Sequence, residues 1–180
     1  MSLEVRRELV SLLPRLRRFA YSLTGSLDDA DDVVQTACLR ALTRLDQFTP
    51  GTRLDSWMFR IVQTVTIDRA RSVRRAGIVG EPEDLEQIGY DQRIHESTEA
   101  RIDLAIVRKA MVEDLPEEQR AVLALVCVDG MSYQDAADTL AIPVGTVMSR
   151  LARARRKLAA VLEAQSPGAM PRPEQTGGGH

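Results

Sequence analysis

The stretch DGMSYQDAADTLAIPVGTVMSRLARAR, residues 129–155, decides how the chain is read. Asp129-Gly130 ends a preceding helix in a turn, because glycine accepts a left-handed backbone cheaply. Ser132 caps a short helix over residues 133–140, with Asp135 three residues on, close to a capping box. Ala136, Ala137 and Leu140 keep its inner face small, so a second helix can cross closely. Ala141-Ile142-Pro143 turns the chain, and a last helix runs over residues 144–162. Its Val147, Leu151, Ala154 and Leu158 form an apolar stripe at steps of four, three and four. The opposite face carries Thr146, Ser149, Arg150, Arg153, Arg156 and Lys157. A short helix, a tight turn and a basic amphipathic helix make a helix-turn-helix, whose second helix enters the major groove by its N-terminal part. Arginine there can read guanine with two hydrogen bonds. The competing reading is a solvated basic face on an ordinary bundle helix.

Working outward, the rest of the chain is also helical. Pro116 opens a helix over residues 116–127, and a further one covers residues 97–113 with Ile102, Ile106 and Ala110 inward. Before them lies a stretch with helix breakers and no apolar period, starting Gly77. Residues 77–100 hold one basic and seven acidic groups, a net of −6. Residues 1–76 hold 13 basic and 9 acidic groups, and residues 101–180 ten of each. The middle therefore reads as an acidic linker, and the proline- and glycine-rich end from Gln165 as a disordered tail. In the N-terminal part, residues 3–23 form a helix that Pro14 kinks or interrupts. Ser26 caps a second helix with Asp28 and Asp29 in its first turn and Val34, Cys38, Ala41 and Leu45 on one stripe. After a loop through Phe48 and Pro50, residues 54–75 make a third helix. No segment alternates like a strand. The expected fold is all-α: a helical domain over 1–76, a flexible acidic linker over 77–96, a helix-turn-helix domain over 97–163, and a tail over 164–180.

Composition sets outer bounds. With 180 residues and 44% hydrophobic content, the chain is globular and holds one medium domain or two small ones. Aromatics make up 4%, which argues against a large aromatic-lined ligand cavity. The net charge of −2 looks wrong for a nucleic-acid binder until it is divided along the chain as above. Of 24 basic residues only Lys109 and Lys157 are lysines; the arginine excess suits planar recognition of phosphate and guanine, or reflects coding bias. Cys38 and Cys127 read as buried free thiols in a reducing compartment. His95 and His180 have no cysteine at zinc-ligand spacing, so no metal site or cofactor is expected. The N-terminus lacks the apolar core of a signal peptide, and the longest apolar run, residues 121–128, falls far short of a membrane span. A cytoplasmic protein without membrane insertion is expected.

Residues 129–155 resemble the fourth characteristic region of bacterial RNA polymerase sigma factors, and within them the short extracytoplasmic-function (ECF) group. DADDVVQTA, residues 29–37, looks like that family's polymerase-clamp-binding helix, and LDSWMFRIVQT, residues 54–64, with IDRAR, residues 67–71, resembles its promoter-melting helix. The resemblance spans roughly residues 5–163 in the family's order and spacing. It implies a sigma factor that binds core RNA polymerase through the clamp helices of the largest subunit and the flap. Such a factor melts the −10 element, reads the −35 element as duplex and is held in check by an anti-sigma factor. By the same resemblance Asp29, Asp32 and Gln35 meet the clamp; a competing role for these aspartates is to complement the helix dipole. Asp46, Phe48 and Arg53 lie where the family captures a flipped base, and Arg60, Gln63, Thr64 and Arg71 continue the −10 surface. Arg69, Arg74 and Arg75 could track phosphates, and Trp57 reads as core. Ser149, Arg150 and Arg153 match −35-reading positions, with Thr146 on a phosphate and Arg156 beside them. Gln63-Thr64 departs from the family's common Arg-Asn, and Met148 replaces a charged residue, so promoter preference is altered or read through apolar contact there. The acidic linker either threads the polymerase cleft, as in the family, or is a solvated spacer.

Two other functions are tested by the same residues. Asp28-Asp29-Ala30-Asp31-Asp32 satisfies a D-D-x-x-D spacing that holds magnesium and diphosphate in helical terpene synthases. Two short halves with few aromatics cannot build the cavity that such chemistry requires. An ordinary helix-turn-helix regulator explains the C-terminal half but leaves the N-terminal motifs idle.

Overall fold

The computed structural model describes residues 3–49, 51–76 and 98–165. In chain order they form α1 (Leu3–Thr24), α2 (Leu27–Thr43), a 3-10 turn (Leu45–Gln47) and α3 (Leu54–Ala76). There follow α4 (Thr98–Glu113), α5 (Glu117–Leu123) with a π-helical turn (Ala124–Val128), α6 (Tyr133–Leu140) and α7 (Val144–Gln165). No strand occurs among the described residues. The acidic stretch 77–96 and the tail beyond residue 165 lie outside them.

Helices α1, α2 and α3 pack pairwise into a three-helix bundle. Leu12, Leu16, Phe19, Ala20 and Leu23 of α1 are buried at helical spacing against Ala30, Val33, Val34 and Ala37 of α2 and Met58, Phe59 and Val62 of α3. Phe19 and Phe59 meet edge to face, with ring centroids 5.1 Å apart and planes at 86°. The Ser26 cap is present, its hydroxyl accepting from the Asp29 N–H at 3.3 Å. Pro14 does not interrupt α1. It lies on the exposed side with Val10, so the carbonyl its ring leaves without a donor faces water.

In the C-terminal half α4, α5 and α6 all pack on α7. Val147, Leu151, Ala154 and Leu158 are its buried stripe, as their spacing requires. Ser132 caps α6 by accepting from the Asp135 N–H at 3.0 Å, and Ala136 and Ala137 are buried beneath α7. Helix α7 runs three residues past its expected end, through Glu163, Ala164 and Gln165, all good helix formers. Of the inward positions expected on α4, Ala110 is buried and Ile106 half-buried; the Ile102 side chain lies outside the description.

Two expectations are corrected here. The helix expected over residues 116–127 changes to π geometry after Leu123, with the Asp129 N–H bonding the Ala124 carbonyl at 2.9 Å. That wider turn carries Cys127 to the surface, where its Sγ accepts from Arg155 at 3.5 Å, instead of into the core; Cys38 is half-buried, and both thiols are free. The two halves are in contact. Helix α1 packs on α4, α5 and the π turn, and α3 packs on α6. Gly25, at φ +77°, allows the closest approach: a Cβ there would lie 2.7 Å from Val112 Cγ2. Beside it Arg120 donates to the Leu23 carbonyl at 2.6 Å, occupying an acceptor at the end of α1.

Candidate nucleic-acid and polymerase interfaces

On α7, Ser149, Arg153 and Arg156 are exposed opposite the buried stripe, with Arg150 and Thr146 half-buried at its border. The Ser149 hydroxyl donates to the Thr146 carbonyl at 3.1 Å, which leaves its lone pairs outward as acceptors. Among the described residues no carboxylate pairs with Arg150, Arg153 or Arg156, so their donors face solvent. Lys157, expected on the same face, instead bonds the Asp114 carbonyl at the end of α4. Met148 and Val144 are exposed at the start of the helix. The result is an arginine-bearing helical face preceded by an exposed apolar pair.

The residues expected at the −10 element fall into three places. Asp46 is exposed on the 3-10 turn, and the Phe48 ring meets Trp57 at a tilt of 46° with centroids 5.3 Å apart. Trp57 is thus half-buried at the edge of the core. Arg53, Ser56 and Arg60 follow at steps of three and four along the start of α3, and all three are engaged by the helix-turn-helix. Arg53 pairs with Asp135; Thr139 donates to the Ser56 hydroxyl at 2.9 Å; Arg60 donates to the Thr139 and Asp138 carbonyls at 3.1 and 2.7 Å. Gln63 and Thr64 continue along the helix, half-buried and exposed. Arg71 lies about 16 Å beyond Arg60 along the helix, in an open groove of about 560 Å³ shared with Asp68, Arg74 and Arg75. Facing it, burial raises the Glu117 pKa, against the lowering pull of Arg120, Arg71 and Arg74.

Asp29 and Asp32 on α2 both meet Arg69 of α3, Asp32 at 3.2 Å, while Asp31 pairs with Arg17 at 2.5 Å. Asp29 and Asp32 of the D-D-x-x-D spacing are therefore tied to Arg69, and no cluster of three metal-ligating side chains occurs among the described residues. Arg69, expected to track phosphates, is held on this acidic face. Sequence reasoning missed two residues here. Leu39 and Leu42 are 59% and 45% exposed, and with Asp32 and Gln35 they form one stripe at steps of three, four and three. The available signal was that both leucines fall off the buried stripe of their own helix.

A network joins the halves. Arg15 of α1 holds Asp129 with two hydrogen bonds, 2.7 and 3.0 Å, and reaches Asp55 at 3.3 Å. Asp55 in turn accepts twice from Arg53, at 3.1 and 3.0 Å. Burial disfavours the Asp55 charge, but the Arg53 hydrogen bond, the Ser56 N–H and the charges of Arg53 and Arg15 outweigh it and hold its pKa below the usual carboxylate value.

Two family profiles match this architecture: "Sigma-70 region 2" over residues 9–76 and "Sigma-70, region 4" over residues 109–158. The ECF RNA polymerase sigma factor EcfG of Rhodopseudomonas palustris is 38% identical over 159 residues, 88% of this chain and 84% of its own. Among solved structures, the sigma factor RpoE in complex with the anti-sigma factor NepR from Bartonella quintana aligns with a TM-score of 0.72 and 31% identity. That alignment covers 91% of this chain and 99% of the other. CnrH in complex with the cytosolic domain of CnrY aligns with a TM-score of 0.66 and 29% identity, over 90% and 89%. The chain belongs to the ECF family of RNA polymerase sigma factors. As such it binds core polymerase and promoter DNA and directs transcription initiation. Among the described residues no helix is long and apolar enough to cross a membrane.

Proposed function

We propose that α7 reads the −35 element through Ser149, Arg150, Arg153 and Arg156, with Thr146 on a phosphate. The Phe48 loop, Arg53 just before α3, and the face of α3 that carries Arg60, Gln63, Thr64 and Arg71 engage the −10 strand, Asp46 lying at its rim. The observation that carries the reading is the contrast in arginine partners. Arg150, Arg153 and Arg156 pair with no carboxylate among the described residues, whereas Arg15, Arg17, Arg40, Arg53 and Arg69 are all ion-paired. Unpaired guanidinium groups along the N-terminal part of a helix-turn-helix's second helix are suited to base edges and phosphates.

The α2 stripe of Asp32, Gln35, Leu39 and Leu42, with Asp29 beside it, docks on the polymerase clamp. Its two exposed leucines supply the apolar centre and its polar residues the rim of an interface. The chain acts in the cytoplasm with polymerase and performs no covalent chemistry itself. An anti-sigma factor controls it, a proposal supported by the two aligned sigma factors, each solved with another protein, the first named as an anti-sigma factor.

Arg153→Ala tests the −35 assignment. Its loss is expected to cost about 1–3 kcal/mol in discrimination of the cognate −35 sequence, read as competition between cognate and mutated promoters in holoenzyme binding. Unchanged discrimination would remove Arg153 from the reading surface.

A further inference from the structure

We propose that Met148 reads the C5-methyl group of a thymine in the −35 element, with Val144 widening the apolar contact. The chain then selects an A·T pair there by burial of a methyl group, where a charged side chain would select by hydrogen bonds. The proposal rests on the assignment of α7 to the −35 element and names the chemistry of one contact within it.

The two apolar side chains have no task inside the protein. Val144 and Met148 are 40% and 53% exposed, one turn apart on the same flank of α7, while Val147, Leu151, Ala154 and Leu158 serve the core. Successive residues of a helix are turned by about 100°, so Met148 stands to one side of Ser149 on the outer face, with Arg150 on the other. Arg155 lies two turns further along the Met148 flank, but its guanidinium is drawn back to the Cys127 Sγ at 3.5 Å. This flank therefore presents an apolar group and not a cation.

Between that flank and the arginines the front of the helix is low. Gly145, Ser149 and Ala152 are all exposed and small. A Cβ at Gly145 would find nothing within 4 Å, and the residue is not among the glycines with a left-handed backbone. Neither packing nor conformation within the chain requires a glycine, which weakens a helix; a low front instead lets a ligand approach the backbone closely. Such an approach brings the longer Met148 side chain onto whatever lies in front of the first two turns.

Duplex DNA satisfies both parts of this surface. Arg150, Arg153 and Arg156 pair with no carboxylate among the described residues and suit the phosphates and guanine edges of a major groove. The one apolar group on the floor of that groove is the thymine methyl. Against any other base edge a thioether would cover donors and acceptors without replacing their hydrogen bonds, which is costly. Against a methyl group its flexible, polarisable chain adapts and packs.

The test uses holoenzyme assembled from core polymerase and the full-length chain. In duplex promoter fragments each thymine of the −35 element, on either strand, is replaced in turn by deoxyuridine, which lacks only the methyl group. One replacement should weaken binding by the wild type about fourfold, as expected for one buried methyl. Met148→Ala should bind the thymine promoter at least about fourfold more weakly than the wild type and no longer distinguish thymine from deoxyuridine. Met148→Leu, apolar and close in volume, should keep the distinction, and both variants should fold because the position is exposed. Wild-type binding indifferent to every replacement would overturn the proposal, as would a −35 element without an A·T pair or a thymine preference that survives in Met148→Ala. Initiation weakened equally on thymine and deoxyuridine promoters by Met148→Ala, with a wild type blind to the methyl, would mean that the apolar pair docks on a protein and would also overturn it. Arg153→Ala separates the two levels. If that variant loses −35 discrimination and Met148→Ala does not, methyl reading falls and the −35 assignment stands; if neither loses it, the assignment itself falls.

Discussion

Arg15→Ala is expected to destabilise the chain by about 3 kcal/mol in urea unfolding, the largest effect of any charged residue. The Asp129 side chain is only 4% exposed and takes two of its hydrogen bonds from this one guanidinium. Removing one partner of a buried pair leaves the other charge desolvated and unmatched, which costs more than the pair itself contributes. Arg15 is itself one third exposed, so the lower end of the usual range applies. Its guanidinium also sits 5.4 Å from the centre of the Phe59 ring, an attraction that alanine forfeits. The cost should depend on pH through Asp55. A carboxyl whose folded pKa is lowered contributes stability that is present above its unfolded value, about 3.9, and lost as pH falls through the folded value. The part of the Arg15→Ala deficit that runs through Asp55 should therefore be constant near neutrality and shrink below about pH 4. A deficit that grows on acidification would contradict this arrangement.

Phe59→Ala should cost about 3–5 kcal/mol, because the ring is fully buried and its removal leaves a cavity among Phe19, Leu16 and Met58. The edge-to-face pair with Phe19 is lost as well. For a chain of this size that is a large fraction of total stability, and a midpoint shift under about 1 kcal/mol would mean that the bundle repacks around the gap.

The helix-turn-helix was legible because every device that forms it is local. Ser132 and Asp135 are three residues apart, and Val147, Leu151, Ala154 and Leu158 repeat at the helical period, so neighbours in sequence settle the geometry. Pro14 does not end α1 because the carbonyl its ring leaves without an N–H can take a donor from water, and that depends on which side of the helix is exposed. Cys127 was misread because one extra residue in the turn from Ala124 to Val128 moves the burial pattern off the 3.6 period. The contact between the halves had no signature at all. Arg15 and Asp129 are 114 positions apart, Arg60 and Thr139 79, and an arginine suited to phosphate is equally suited to a carboxylate or a helix-terminal carbonyl. Which oxygen Arg53 and Arg60 meet is therefore a property of the tertiary structure.

Run-off transcription with core RNA polymerase and a library of promoter fragments tests the central claim most directly. Added to core enzyme alone, the chain should give transcripts with defined starts from fragments that share a −35 and a −10 element, and none when either element is scrambled. A chain that footprints duplex by itself but directs no initiation with any bacterial core polymerase would contradict the account.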